Sequence, residues 1–494
     1  MDLKLNEEDL RRFELFARVI ADYRRFSPEF RNANRENPSP FMISPESSRT
    51  AARYLAQIHG VTPILPIERF KKDGIDITLW GKFENVQSMN TFKTRGAEWF
   101  IHNIANQYYS HRGMFRLKKS SSEAPQDDYL NSLEGVEFSK STVVLDPLVF
   151  VTASAGNHAQ GVALAAKRHG FKAIIFMPSS VDPVKMEKVK RLGAEIILIE
   201  GPFDNSLKAC LEFKQTSPFN IFVPPFEAQE VMVGQGTVGV EILGHFTGHH
   251  DNYMRVANDL NWSFRALETL PDVIFCGLGG GGLVSGIGAV VKEFNQAAGT
   301  KIKVIGVQSE AADSMYQSFH NKILVPSSDL GAKTIAGGIN VKNASNRMLS
   351  TVRKYADNVF LINEESILQS IANIAEHPGL KNMRWSTNEI GGTVPFRKLP
   401  ANAKHVYKAR RMNRVEGAGA AGYAAAVFGD SKNQINWSEI AGEKKRVNAV
   451  CVLSGGNIDS DLWRKIISER KRNLGCSFAD DVILRDDTPT VKFK

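Results

Sequence analysis

The chain has 494 residues, 43% apolar and 23% charged, with a formal net charge of +9, which predicts a globular protein of two domains or one large α/β unit with additions. Its positive charge lies in short interrupted clusters, Lys118-Lys119, Lys444 to Arg446 and Arg464 to Arg472, which read as solvated faces and not as a nucleic-acid footprint. No run approaches the ~18 unbroken apolar residues of a membrane span, and the polar start Met1-Asp-Leu-Lys is no secretory signal, so a cytoplasmic protein with neither membrane nor nucleic acid as partner is expected.

In chain order, residues 7–25 predict an amphipathic helix, with Leu10, Phe13, Phe16, Ala17, Ile20 and Tyr23 at helical spacing. A polar linker runs to about Pro40, and a second helix is expected from Pro45, capped by Ser44, to Gly60. Thr78 to Phe83 is strand-like and gives way to a helix near Thr94 that carries Ala97, Phe100, Ile101 and Ile104 on one face. The apolar run Leu148 to Thr152 then precedes a helix from His158 to Arg168, stopped by Gly170.

The alternation continues with strand Ala173–Met177, helix Val184–Leu192, strand Ile196–Ile199, helix Ser206–Phe213 and strand Asn220–Val223. Helix Val238–Leu243, strand Val273–Cys276, helix Leu283–Phe294 and strand Lys303–Val307 follow. This rhythm calls for parallel sheet with helices on both faces, and the continuously apolar strand interiors agree. Segments 106–143, 245–270 and 377–411 break it; the first, rich in Lys, Ser and Asp, reads as a mobile surface loop. After Asp459 only a helix from Leu462 to Arg472 and a polar tail remain. Cys210, Cys276, Cys451 and Cys476 form no C-x-x-C pair, and Cys276 and Cys451 sit in apolar strands, as thiols of a reducing compartment would.

Five places carry candidate chemistry. Lys93, in Ser88 to Ala97, lies where strand turns to helix; alone it is an ordinary surface lysine, but at the edge of a cleft its desolvated amine would be a nucleophile. The turn Ser154-Ala-Gly-Asn157-His158 opens a helix, so its N–H groups suit a carboxylate, with Asn157 able to donate to a phenolate-type oxygen; a plain helix cap fits it too. Gly277-Leu-Gly279-Gly-Gly-Gly282 suits a phosphate, and it equally fits a dinucleotide fold, for which Gln308 and Glu310 stand near the required acid position. Ser454, ending the strand Ala449 to Leu453, can meet a ring nitrogen or merely cap a loop. Glu416 is either a buried acid beside a cofactor or a charge at a helix start.

Together these segments resemble the fold-type II pyridoxal-phosphate enzymes, and within them the threonine/serine dehydratases (ammonia-lyases). The likeness is carried, in the family's order, by Phe-Lys-x-Arg-Gly-Ala, Ala-Ser-Ala-Gly-Asn-His-Ala-Gln-Gly, Val-Pro-Pro-Phe at 223–226 and Gly-Gln-Gly-Thr at 234–237, then by the four glycines plus leucine, Thr-Ile-Ala at 334–336, Glu-Gly-Ala-Gly-Ala and Leu-Ser-Gly-Gly-Asn. It implies a tryptophan synthase β-like fold, two open twisted α/β domains with the active site in the cleft between them. The expected division is a helical extension at 1–42, a large cofactor domain at 43–83 plus 224–460, a small domain at 84–223, and a helix and tail at 461–494.

The resemblance further implies that Lys93 holds pyridoxal 5'-phosphate as a Schiff base and Asn157 bonds its ring oxygen. Gly279, Gly280, Gly281, Gly282 and Leu283 would bind its phosphate, Ser454 would face the ring nitrogen, Glu416 would lie beside the cofactor, and Ser154, Ala155, Gly156, Asn157 and His158 would take the substrate carboxylate. The implied reaction converts L-threonine or L-serine to 2-oxobutanoate or pyruvate and ammonia, Lys93 taking the Cα proton and the cofactor phosphate assisting loss of hydroxide. A homo-oligomer, dimer or tetramer, is expected; a lyase for another β-substituted amino acid, or an inactive homologue, are the alternatives.

Several positions depart from the family. Ala155 stands where serine racemases carry a proton-donating serine, which disfavours racemisation. Asn90-Thr91 replaces Gly-Ser, and Gly337 replaces an Asp. Gln308 and Ser314 occupy positions where metal-binding relatives have carboxylates, so no metal is expected.

Overall fold

The computed structural model describes residues 39–116, 147–247, 270–381, 384–387, 393–395, 408–429 and 435–472. The predicted helix at 7–25, the polar stretch beyond Lys118, most of 245–270, Cys476 and the tail lie outside the described residues.

First come α1 (Pro45–Ile58), β1 (Ile64–Lys72), β2 (Ile75–Lys82) and α2 (Lys93–Arg116). A second group is β3 (Val149–Ala153), α3 (Asn157–Arg168), β4 (Lys172–Pro178), α4 (Pro183–Lys190), β5 (Glu195–Ile199), α5 (Phe203–Gln215) and β6 (Asn220–Phe222). Then follow α6 (Gln229–Phe246), β7 (Val273–Gly277), α7 (Gly282–Ala298), β8 (Lys303–Ser309), α8 (Ser314–Asn321), α9 (Asn346–Tyr355), β9 (Asn358–Ile362), α10 (Glu364–Glu376) and α11 (Pro378–Lys381). The described chain ends with β10 (Arg384–Thr387), β11 (Thr393–Pro395), β12 (Lys408–Arg411), α12 (Gly417–Phe428), α13 (Trp437–Ala441), β13 (Arg446–Val452) and α14 (Ser460–Arg472).

One sheet has the order β5-β4-β3-β6 and is parallel throughout. The larger has the order β1-β2-β13-β7-β8-β9; it is parallel from β2 onward, with β1 antiparallel at its edge. A third, antiparallel sheet β11-β10-β12 lies within the predicted break at 377–411. To the expected parallel sheet β1 adds an antiparallel edge that the sequence reading does not include. Its Glu68, Arg69, Lys71 and Lys72 hide the strand in the sequence, yet Asp73 and Gly74 both take positive φ, 51° and 80°, as a two-residue hairpin turn requires. Strands β7 and β13 are buried along almost their whole length, and Cys210, Cys276 and Cys451 are buried free thiols.

Ser44 caps α1 by accepting the Ser47 N–H, as its position before Pro45 predicts. The largest departure is α6, which begins at Gln229, nine residues before the expected Val238. Its glycines, which the sequence reading assigns to no element, are contact points. A Cβ on Gly234 would stand 2.7 Å from the Arg95 carbonyl oxygen, and one on Gly236 would stand 2.9 Å from that of Gly286. Backbone meets backbone there, and only glycine allows it.

Between β2, α2 and α6 lie four buried charges. Arg95 forks to both carboxylates: Nε to Glu84 Oε2 at 2.8 Å, Nη2 to Glu84 Oε1 at 2.9 Å, Nη1 to Glu241 Oε1 at 2.6 Å and Nη2 to Glu241 Oε2 at 2.9 Å. The Lys82 ammonium donates to Glu241 and to the Thr62 carbonyl. Burial alone would raise the Glu241 carboxyl, but Arg95 and Lys82 hold it below the usual range. The charges sum to zero, and each is tolerable only while the others remain. Arg95→Met therefore lowers unfolding stability by about 3–5 kcal/mol in urea titration. Lys172→Ala, which breaks a pair half exposed to water on the β4–β5 edge, changes it by no more than about 1 kcal/mol. Equal effects of the two substitutions would contradict this account.

Candidate active site

The backbone before α2 is shaped to present Lys93. Met89 and Asn90 take φ of 57° and 56°, a left-handed conformation that glycine adopts freely and asparagine tolerates. Thr91 then bridges to Gly455, the Phe92 N–H donates to the Ser454 carbonyl at 3.2 Å, and Thr91 Oγ1 accepts the Lys93 N–H at 3.2 Å. The chain is held on both sides of the lysine. Lys93 Nζ donates to the Pro225 carbonyl at 2.8 Å, and no carboxylate pairs with it among the described residues. Burial without a counter-charge lowers its pKa from 10.5 to about 8.

Asn157, first residue of α3, faces Glu416 and Asn457 from the larger sheet. Its Nδ2 donates to Glu416 Oε1 at 2.7 Å, and its Oδ1 accepts from Asn457 Nδ2 at 2.7 Å. Asn457 also reaches the Met89 carbonyl, at 2.7 Å, and gives its own N–H to Glu416 Oε2 at 3.2 Å. Burial raises the Glu416 pKa, and the Asn157 and Asn457 donors oppose that shift. A Cβ on Gly455 would fall 2.2 Å from Glu416 Oε1, so glycine is required there. Ser454 is buried and its hydroxyl donates to the Ala418 carbonyl at 3.3 Å.

The turn after β3 is both a cap and an open donor surface. Ser154 Oγ accepts the N–H of Gly156 at 3.2 Å and of Ala159 at 3.3 Å, leaving its own proton to donate outward. Ala155 and Gly156 are half-buried. His158 is different: its Nε2 lies 2.9 Å from the Val223 carbonyl, and burial first, then Lys93, lowers its pKa to about 3. The imidazole is neutral and committed to Val223, so only the His158 N–H remains for an anion. A Cβ on Gly161, one turn into α3, would stand 3.2 Å from the Lys93 carbonyl, which sets this helix directly behind the lysine.

The glycine turn links β7 to the 17-residue α7. Gly281 takes φ 94°, and the N–H groups of Gly279, Gly280, Gly281 and Gly282 find no acceptor among the described residues. Buried donors at a helix start, backed by the helix dipole, are a phosphate cradle. A Cβ on Gly280 would run into the Phe226 ring at 2.3 Å. Pro225 and Phe226 thereby join the glycine turn to Lys93; the sequence showed them only as part of a motif, with no role of their own. Asn457 also escaped notice as a partner, because its contacts come from segments far apart in the chain. A cavity of about 550 Å³ lined by Glu68, His377, Tyr423 and Arg470 shares no residue with this cluster.

An unpaired amine, a turn of free N–H groups and neutral polar side chains suit a phosphorylated aldehyde with a ring nitrogen and ring oxygen, so these residues fit pyridoxal phosphate. Residues 55–380 match the family model described as pyridoxal-phosphate dependent enzyme. The chain is similar to an L-threonine ammonia-lyase of Thermotoga maritima, 33% identical over 65% of this chain and 61% of the relative. A Geobacter sulfurreducens L-threonine ammonia-lyase is 32% identical over 63% of this chain and 59% of the relative. The chain thus spans less than two thirds of the length of either. A catabolic L-threonine dehydratase of Staphylococcus aureus is 32% identical over 63% and 69%. Among solved structures, threonine deaminase isoform 2 of Solanum lycopersicum superposes with a TM-score of 0.57 at 22% identity, covering 89% of this chain and 92% of that one. Diaminopropionate ammonia lyase of Escherichia coli gives 0.58 at 18%, covering 90% and 98%. These two likenesses concern the fold.

The neutral amine is the form that attacks an aldehyde. Because the Lys93 pKa is lowered to about 8, the rate at which the cofactor-free protein captures pyridoxal phosphate rises with pH with its midpoint near that value. Stopped-flow absorbance against pH measures it, and a midpoint at the ordinary lysine value would place the amine in water.

Proposed function

Since the chain belongs to the pyridoxal-phosphate-dependent enzymes, we propose that it deaminates L-threonine, L-serine or both to ammonia and 2-oxobutanoate or pyruvate, the water lost with the β-hydroxyl being returned on hydrolysis. The observation that carries this reading is the Lys93 amine, desolvated, without a counter-ion and 2.8 Å from the Pro225 carbonyl. Support for the substrate comes from relatives that bear the names threonine ammonia-lyase and threonine dehydratase.

Bound pyridoxal phosphate supplies an electron sink for negative charge at the substrate Cα. The remaining work falls to the chain. Lys93 is the covalent anchor and, when the substrate amine displaces it, the base that takes the Cα proton; a pKa near 8 keeps part of it neutral at physiological pH. The N–H groups of Gly279 to Leu283 hold the phosphate. Asn157 Nδ2 keeps a second hydrogen beyond the one given to Glu416, and this donates to the ring oxygen. Glu416 acts through Asn157 by fixing its amide.

Ser454 would face the ring nitrogen, and as a neutral group it would give that nitrogen no counter-charge, which would favour prompt loss of the β-hydroxyl. The Ser154 hydroxyl and the N–H groups of the following turn orient the substrate carboxylate. Ala155 has no proton to give, so the opposite face of Cα is not reprotonated. The same reading carries a cytoplasmic location and a homo-oligomeric assembly. Among the described residues no helix is long and apolar enough to cross a membrane.

The test is incubation of the purified protein with L-threonine, L-serine and a panel of β-substituted amino acids, measuring ammonia, 2-oxo acid and the near-visible absorbance of lysine-bound cofactor. Threonine or serine turns over, and Lys93→Ala abolishes the band and lowers the rate by about 10²–10⁴-fold or more. An unaltered spectrum in the variant removes Lys93 from its role. Rapid turnover of another amino acid beside inert threonine and serine reassigns the substrate.

A further inference from the structure

Lys342 lies outside the site described above. Its Nζ donates to three main-chain carbonyls, those of Ala311, Ala332 at 2.7 Å and Asp329 at 3.1 Å. An ammonium has three hydrogens and no acceptor, so all its capacity is used on backbone. The three oxygens belong to two separate loops. Ala311 is in the short turn after β8, and Asp329 and Ala332 are in the stretch between α8 and α9. That stretch is folded back on itself because Asp329 Oδ1 accepts the N–H groups of Gly331 at 2.8 Å and Ala332 at 3.1 Å. Burial lowers the Lys342 pKa, and the charges of Asp329, Asp313 and Glu364 oppose that shift.

The residues just before Lys342 are the floor of the glycine turn. A Cβ on Gly279 would stand 3.2 Å from the Gly338 carbonyl oxygen and the Ile339 Cα, and 3.3 Å from Val341 Cγ2. The floor is pinned at its end by Ser314 Oγ, which donates to the Val341 carbonyl at 3.1 Å, and by the Ser327 N–H, which donates to the Lys342 carbonyl at 3.0 Å. Converging carbonyl oxygens are what a hard cation binds. Gln308 and Ser314 supply no anionic ligand, since the Gln308 oxygen accepts the Tyr316 N–H at 2.8 Å and Ser314 is held to Val341. We propose that the Lys342 ammonium is a built-in cation: it occupies a carbonyl site that would otherwise take a metal ion, and it positions the glycine turn for a phosphate.

The phosphate half rests on the functional reading given above; the cation half does not. The experiment uses the full chain as wild type, Lys342→Met and Lys342→Ala. Lys342→Met keeps the bulk and loses the charge, so pyridoxal phosphate binds about tenfold or more weakly, the scale for loss of an outer supporting contact, while kcat at saturating cofactor stays near wild type. Lys342→Ala opens the site. Millimolar calcium or potassium then raises its unfolding midpoint by about 2 °C or more, and leaves wild type unmoved. A Lys342→Ala protein no more responsive to cations than wild type overturns the built-in cation. Wild-type cofactor affinity in Lys342→Met overturns the positioning role. A wild type that takes up no pyridoxal phosphate overturns the functional reading instead, and the cation measurement still decides the first half.

Discussion

The buried fork of Arg95 between Glu84 and Glu241 is the constraint from which the site is built. Lys93 is two residues upstream of it on the same helix, so wherever Arg95 is fixed the lysine follows. Sliding α2 by one residue would strand two carboxylates and a guanidinium in a region with no water to replace their partners. Thr62 extends the lock, its N–H donating to Glu241 Oε2 at 3.2 Å and its hydroxyl to Glu84. The same contact joins Phe-Lys-x-Arg-Gly-Ala to Gly-Gln-Gly-Thr. A Cβ on Gly96 would meet the Val231 carbonyl oxygen at 2.8 Å, and Thr237 Oγ1 accepts from Arg95 Nη1 at 3.0 Å. Two stretches 140 residues apart in the chain are one packed joint.

A second joint crosses between the two sheets and is neutral except at one atom pair. Asn157 belongs to the helix after β3, while Glu416 and Asn457 follow the larger sheet's side of the chain; their amides and carboxylate form a closed set of hydrogen bonds. Such a network demands both sides at once, because each missing partner leaves a buried polar atom unsatisfied. The two halves of the candidate cleft are therefore registered by the same side chains proposed to orient the cofactor.

Much of this was legible in the sequence for a simple reason: loops that bind through backbone need glycine and small polar residues at fixed places, and those places show as motifs. The glycine turn, Lys93 and the Ser154 turn were visible on these grounds, as were β3 to β8 with their continuous apolar cores. What stayed hidden depends on contacts between distant segments. The amino half of α6 was assigned to no element, because glycines that serve helix packing look the same as glycines that serve turns. β1 was masked by its charged outer face. His158 sits in a motif, yet its ring turns to Val223, which only the fold decides. Pro225 contributes a carbonyl, an atom every residue has, so no residue type could signal it.

These features also set the order in which charge arrives. Before any phosphate is present, Lys93 is half-buried near a neutral His158, no carboxylate among the described residues holds its proton, and its pKa sits near 8. An anion at the glycine turn changes that balance, since a nearby negative charge favours the protonated amine. The turn's N–H groups and the helix dipole of α7 must therefore neutralise most of the phosphate charge if Lys93 is to remain a base. The closer those N–H groups are held to their ligand, the less of its charge reaches the amine. That gives a chemical reason for so much rigid packing under Gly279: by keeping the donors in place, Gly338, Ile339 and Val341 would keep the lysine amine unprotonated.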